Sequence, residues 1–164
     1  MQLILNENEI EQKINRLAHQ IIENSFEEKD LFIGGISGNG FKIAQKLRSI
    51  IAENTDQNTH LFEINLNKEE PWASPIQLSA TKESLKHGYI LLVDDVINSG
   101  KTMQYALIKL LEQATKAIKT VALVDRMHRR YPIKADFVGL SLSTTLKERV
   151  EVFEENDTFK AFLK

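Results

Sequence analysis

The sequence predicts an α/β fold, a central parallel sheet flanked by helices, in a single domain over residues 1–164. Three observations predict it. Apolar residues alternate between helical spacing and short continuous runs along the chain, as they do where strands and helices take turns. The run Tyr89 to Val93 is apolar throughout, which marks a strand covered on both faces. The 164 residues, 42% hydrophobic and 27% charged, suit one sizeable core of ordinary composition.

The elements follow in order. Ile10, Ile14, Leu17, Ala18, Ile21 and Ile22 share one helical face, so residues 7–25 form an amphipathic helix. Leu31 to Gly35 is a short apolar run ending in glycines, a buried strand feeding a tight loop. Ile43, Ala44, Leu47, Ile50 and Ile51 line a second helix. His60 to Leu66 alternates as a strand. Residues 67–88 hold Pro71, Pro75 and Gly88 among polar groups and read as a mobile loop or hairpin. After the strand Tyr89 to Val93, a helix starts near Gly100, with Met103, Ala106, Leu107, Leu110, Leu111 and Ala114 facing inward. Lys119 to Val124 is a further buried strand. Asp136 to Gly139, Arg149 to Phe153 and Phe159 to Leu163 are short strands.

Several function classes are excluded or disfavoured. There is no cysteine, so disulfides and thiolate chemistry are out. The net charge of −2 gives no global attraction to nucleic acid or anionic lipid. No apolar run can span a bilayer. The start MQLILNENEIEQK lacks a basic leader and an extended apolar region, so a cytoplasmic location is expected.

The chemistry concentrates in Tyr89 to Thr102, YILLVDDVINSGKT. A strand-to-helix loop lies at the carboxyl edge of the sheet, where open α/β folds bind ligands. The first amides of the helix lack partners and favour an anion. Gly100 permits close backbone approach, Ser99 and Thr102 offer hydroxyls, and Lys101 offers charge. Asp94 and Asp95 would repel a phosphate set on them and suit sugar hydroxyls or a hydrated Mg²⁺ instead. The plain alternative is an acidic pair that merely caps a loop. A nucleotide P-loop needs a glycine five positions before Gly100. Asp95 stands there, so that reading fails.

This segment resembles the phosphoribosyl pyrophosphate signature of type I phosphoribosyltransferases. The resemblance implies that Asn98, Ser99, Gly100, Lys101 and Thr102 hold a 5′-phosphate. It implies that Asp94 and Asp95 hold the ribose hydroxyls and, indirectly, Mg²⁺. Val121 to Thr144, VALVDRMHRRYPIKADFVGLSLST, and the helix RLAHQII, Arg16 to Ile22, are similar to PyrR-type members, which combine uracil phosphoribosyltransferase activity with RNA binding. The implied fold adds a flexible arm and a small C-terminal hood. The implied partners are phosphoribosyl pyrophosphate, a nucleobase or nucleotide, RNA as a further partner, and a second copy in a homodimer or larger assembly. No membrane partner is expected.

Asn98 turns the reading away from purines. In hypoxanthine-guanine enzymes an aspartate holds that position, and an amide cannot act as a general base. The loop Ile36, Ser37, Gly38 and Asn39 corresponds to the pyrophosphate loop, with Ser37 and Asn39 where PyrR-type proteins carry lysine and arginine. The loss of two cations weakens the hold on pyrophosphate, although backbone amides and Lys42 supply some compensation. Lys68, in the shortened arm, replaces an arginine and gives up bidentate phosphate geometry. These departures predict slow or absent turnover.

Ile97, Asp125, Arg126, Met127 and His128 fall in the expected nucleobase loop. Arg16, His19 and Arg129 match an RNA-binding face in PyrR-type proteins. The alternatives are a solvated helix face for Arg16 and His19, and for Arg129 and Arg130 a charged turn before Pro132. His60 and His87 have no partners at metal-ligand spacing. Trp72 packs the hinge of the arm or stacks on a ligand. The expected reaction is phosphoribosyl transfer to a nucleobase, most simply uracil. The alternative is a nucleotide-sensing, RNA-binding regulator with little catalysis.

Overall fold

The computed structural model describes all residues, Met1–Lys164. A six-stranded sheet runs in the order β4 (Gln77–Leu78), β3 (Asn58–Asn65), β2 (Asp30–Ile36), β5 (Tyr89–Ile97), β6 (Ala117–Asp125), β7 (Phe137–Ser141). All neighbours are parallel except β4, which pairs antiparallel to β3 through Ile64 with Leu78 and Asn65 with Gln77. The expected parallel sheet is therefore mixed at one edge. Chain reversal by a hairpin permits that, whereas each parallel neighbour needs a long crossover.

Helices α1 (Glu7–Ser25) and α2 (Asn39–Asn54) cover one face of the sheet, and α4 (Lys101–Leu110) and the single turn α3 (Lys82–Leu85) cover the other. α1 starts where the apolar pattern starts because Asn6 and Glu9 form a reciprocal cap. Asn6 Oδ1 accepts from the Glu9 amide at 2.9 Å and Glu9 Oε1 accepts from the Asn6 amide at 3.1 Å. β5 lies at the centre, with Tyr89 to Asp94 buried without a break. No helix is long and apolar enough to cross a membrane.

Three expectations are corrected. The hood is not C-terminal alone. It is an antiparallel sheet in the order β1 (Gln2–Leu5), β9 (Thr158–Leu163), β8 (Val150–Glu155), so the N-terminal QLIL completes it. α4 ends at Leu110, four residues short of Ala114. Leu111 turns outward at 56% exposure, its amide shared between the Leu107 and Ile108 carbonyls, which tightens and closes the helix. β5 extends beyond Val93 to Ile97, so the acidic pair lies in the strand itself.

Candidate functional site

β5 and the turn into α4 build the floor of a cleft of about 400 Å³. The residues from Asp94 to Met103 line it, with Lys68 and Glu69 of the arm on one side and Arg149 to Val152 at the edge of the hood on the other. The sequence reading missed the hood wall, because β8 reaches the site only through tertiary packing.

Asp94 is buried at 4% exposure. Burial first, and then the charge of Asp95, hold its carboxyl well above the usual carboxylate range. Lys68 pulls the other way more weakly. Three of the four carboxylate oxygens of the pair accept within the protein. Asp94 Oδ1 accepts from the Asp95 amide at 2.8 Å, and Asp95 Oδ1 accepts from the Val96 amide at 2.7 Å. Asn39 Nδ2 donates to Asp95 Oδ2 at 3.3 Å. A Cβ at Gly40 would stand 3.0 Å from Asp94 Oδ1, so a glycine lets α2 begin this close to the pair. No three His, Asp or Glu side chains converge as metal ligands.

The loop Asn98–Thr102 is shaped for close approach. Gly100 is left-handed at φ 89°, and a Cβ on it would lie 2.5 Å from Ile133 Cγ2. Glycine is required there on both counts. Ser99 is tied from three sides: its hydroxyl accepts from the Lys101 amide at 3.2 Å, and its carbonyl accepts from Arg130 at 2.8 Å and Tyr131 at 3.3 Å. Asn98 Oδ1 is shut off from solvent with no donor in the protein. A buried amide oxygen without a partner is costly.

Other expected site residues stand behind or beside the cleft and make contacts within the chain. Ile36, Ser37, Gly38 and Asn39 do not line the cleft. Ile36 is fully buried. The Ser37 hydroxyl donates to the Ile64 carbonyl at 3.0 Å, and Asn39 Nδ2 also donates to the Val152 carbonyl at 2.8 Å. Lys42, expected to lend charge, is committed to Glu154 at 2.5 Å.

Of the expected nucleobase loop only Ile97 reaches the cleft. Asp125 is buried, accepts from the Met127 amide at 2.9 Å and pairs with Arg129. Met127 adopts φ 65° and is 57% exposed. His128 meets the Thr144 carbonyl. Arg126 is buried and donates to the Glu148 carbonyl. Burial, then Arg149 and Arg130, hold its guanidinium below the ordinary arginine range.

Arg16 crosses to β7 and donates to the carbonyls of Gly139 at 2.6 Å and Val138 at 3.2 Å. It is a link between α1 and the sheet edge. His19 is exposed. Arg16 and Arg129 both spend their guanidinium groups on partners within the chain.

The family model of the phosphoribosyl transferase domain matches residues 2–158. The bifunctional protein PyrR of Herpetosiphon aurantiacus is 33% identical over 157 residues, covering 91% of this chain and 87% of that protein. PyrR of Clostridium novyi is 31% identical over 173 residues, covering 99% and 97%. Among solved structures, the hypoxanthine phosphoribosyltransferase of Trypanosoma cruzi superimposes with a TM-score of 0.77 at 17% identity, covering 98% of this chain and 95% of that one. A hypoxanthine-guanine phosphoribosyltransferase of Bacillus anthracis superimposes at 0.74 and 16% identity, covering 98% and 97%. On the extent of these matches, and on a fold whose central strand ends in the acidic pair and the phosphate-type loop, the chain belongs to the phosphoribosyltransferase family and is similar to its PyrR members.

Proposed function

We propose that residues 1–164 act as one domain that transfers the 5-phosphoribosyl group from phosphoribosyl pyrophosphate to a nucleobase nitrogen, with uracil as acceptor. The observation that carries this reading is the cleft in which Asp94 and Asp95, at the end of β5, stand two residues before the loop Asn98 to Thr102. In this reading the loop takes the 5′-phosphate, with the start of α4 and Lys101 supplying positive potential. The acidic pair takes the ribose hydroxyls, its oxygens pre-oriented by the Val96 amide and Asn39. These contacts fix the donor rather than move a proton, so their contribution is orientation. Mg²⁺, when bound, neutralises pyrophosphate charge and polarises the donor's oxygens. With two carboxylates and no third ligand converging, the chain fits an ion held mostly by substrate and water.

Asn98 favours a pyrimidine. Its amide does not exchange a ring proton, as a carboxylate at that position can. A cytoplasmic location and a homodimer or larger assembly complete the proposal, the assembly being what the resemblance implies.

A second reading is a nucleotide-sensing, RNA-binding regulator with little turnover. One observation favours it: the side chains of the expected pyrophosphate loop, and Lys42 beside it, are already engaged within the chain. Ser37 serves Ile64, Asn39 serves Asp95 and Val152, and Lys42 serves Glu154. RNA binding itself draws less support, since Arg16 and Arg129 are engaged internally.

Thermal melts with phosphoribosyl pyrophosphate, UMP, GMP and uracil, each with and without Mg²⁺, test the site. UMP and phosphoribosyl pyrophosphate should raise the melting point, and GMP less so. If none of the four does, the reading of the cleft is wrong. Pyrophosphate release with uracil then separates enzyme from sensor, and salt-dependent retention of pyrimidine-operon leader RNA tests the regulator.

A further inference from the structure

The arm is tied to the phosphate-type loop at one side chain. Lys101 Nζ donates to the Glu69 carbonyl at 2.8 Å and stands 5.7 Å from the centroid of the Trp72 ring. Trp72 packs on Tyr105 at 5.9 Å, and Tyr105 on Tyr131 at 6.2 Å. Lys101 and Tyr105 are four residues apart on α4, which places them on one face of the helix. Tyr131 returns to the loop through its amide, which donates to the Ser99 carbonyl at 3.3 Å. This row of tilted and edge-on rings thus runs from the arm around the first turn of α4 and back to the loop.

The arm is built to present that carbonyl. Asn67 Oδ1 accepts from the Glu69 and Glu70 amides, each at 3.0 Å, and the Glu70 carbonyl accepts from Ala73 at 2.9 Å. Two successive turns therefore hold Glu69 and Trp72 in fixed relation, with Pro71 buried between them. An ammonium has three donors. The Glu69 carbonyl uses one, which leaves two for a ligand in the cleft that Lys101 lines.

We propose that the Glu69 carbonyl and the Trp72 ring are positioning groups for the Lys101 ammonium, so that a phosphate monoester bound at Asn98–Thr102 is held partly through the arm. This rests on the reading of that loop as the 5′-phosphate site. The coupling is reciprocal: a phosphate that draws on Lys101 also changes the setting of Trp72, and a weakened arm contact weakens the phosphate. Neither group touches the reacting atoms.

Trp72 is the only tryptophan in the chain, so the unmodified protein reports the contact. Ribose 5-phosphate is titrated while intrinsic fluorescence and the melting temperature are followed together. The expected result is a fluorescence change that saturates with the same dissociation constant as the melting shift. Lys101→Met should abolish the fluorescence response. Trp72→Leu should weaken ribose 5-phosphate about 2- to 5-fold, the range of one exposed cation–π contact. Trp72→Phe should recover part of that loss. In turnover, Trp72→Leu should raise KM for the phosphoribosyl donor and leave kcat unchanged, the mark of uniform binding.

A melting shift with no change in Trp72 emission, and equal affinity in Trp72→Leu, overturns the coupling while leaving the phosphate loop in place. No melting shift with ribose 5-phosphate overturns the loop reading, and the coupling with it. Trp72 is 60% exposed, so its substitution spares the core. The fluorescence titration also needs no variant.

Discussion

Asn39 and Asp95 are joined by a hydrogen bond of 3.3 Å, and the same Asn39 amide nitrogen donates to the Val152 carbonyl at 2.8 Å. One short side chain therefore links the first turn of α2, a carboxylate at the end of the central strand, and the hood strand that walls the cleft. Asn39→Ala removes both bonds. It should cost about 1–2 kcal/mol in chemical denaturation and lower kcat/KM about tenfold, with the hood less firmly seated. An unchanged kcat/KM would show that the link serves stability alone.

Asp94 gives the stability a particular pH dependence. Its folded-state pKa is raised by burial and by Asp95. The protonated form is thus favoured on folding, and the associated stability is fully present below the ordinary aspartate range. It is lost as pH rises through the raised value. Asp94→Asn keeps the neutral form at every pH. Melting curves from acid to neutral pH should show the variant gaining on the parent as pH rises. Ribose binding should suffer. A constant difference across the range would show that Asp94 does not titrate differently on folding.

Gly100 is held by both φ 89° and the nearness of Ile133. Gly100→Ala should cost about 2–4 kcal/mol by denaturation, combining left-handed strain with overpacking. It should also weaken ribose 5-phosphate in the same preparation. Adding Ile133→Val should recover part of the stability by making room for the new methyl. A Gly100→Ala protein as stable as the parent would contradict the geometry of this turn.

Ser37→Lys tests whether missing charge limits turnover. The substitution gives up the Ser37–Ile64 hydrogen bond of 3.0 Å and places a cation in the loop before α2. Pyrophosphate release should rise about tenfold or more if leaving-group charge is the limit, with UMP affinity unchanged. Equal release in parent and variant would place the limit elsewhere.

Local pattern carried much of this molecule. The all-apolar Tyr89–Val93 run is buried on both faces because no other burial suits such a strand, and the Asn6–Glu9 cap starts α1 where the apolar period starts. The acidic pair and the loop Asn98–Thr102 are contiguous in the chain, so their meeting in one cleft needed no folding to be foreseen. What tertiary structure alone decided concerns residues far apart in sequence. QLIL at the amino end has no periodicity to show that it pairs with β9. Arg149 to Val152 form a cleft wall because the hood folds over β5. Arg16, read as free for a partner, is taken by carbonyls more than a hundred residues away. Residue type reveals what a side chain can bind. Which partner reaches it first is settled by packing, and for Asn39, Lys42 and Lys101 that partner lies within the chain.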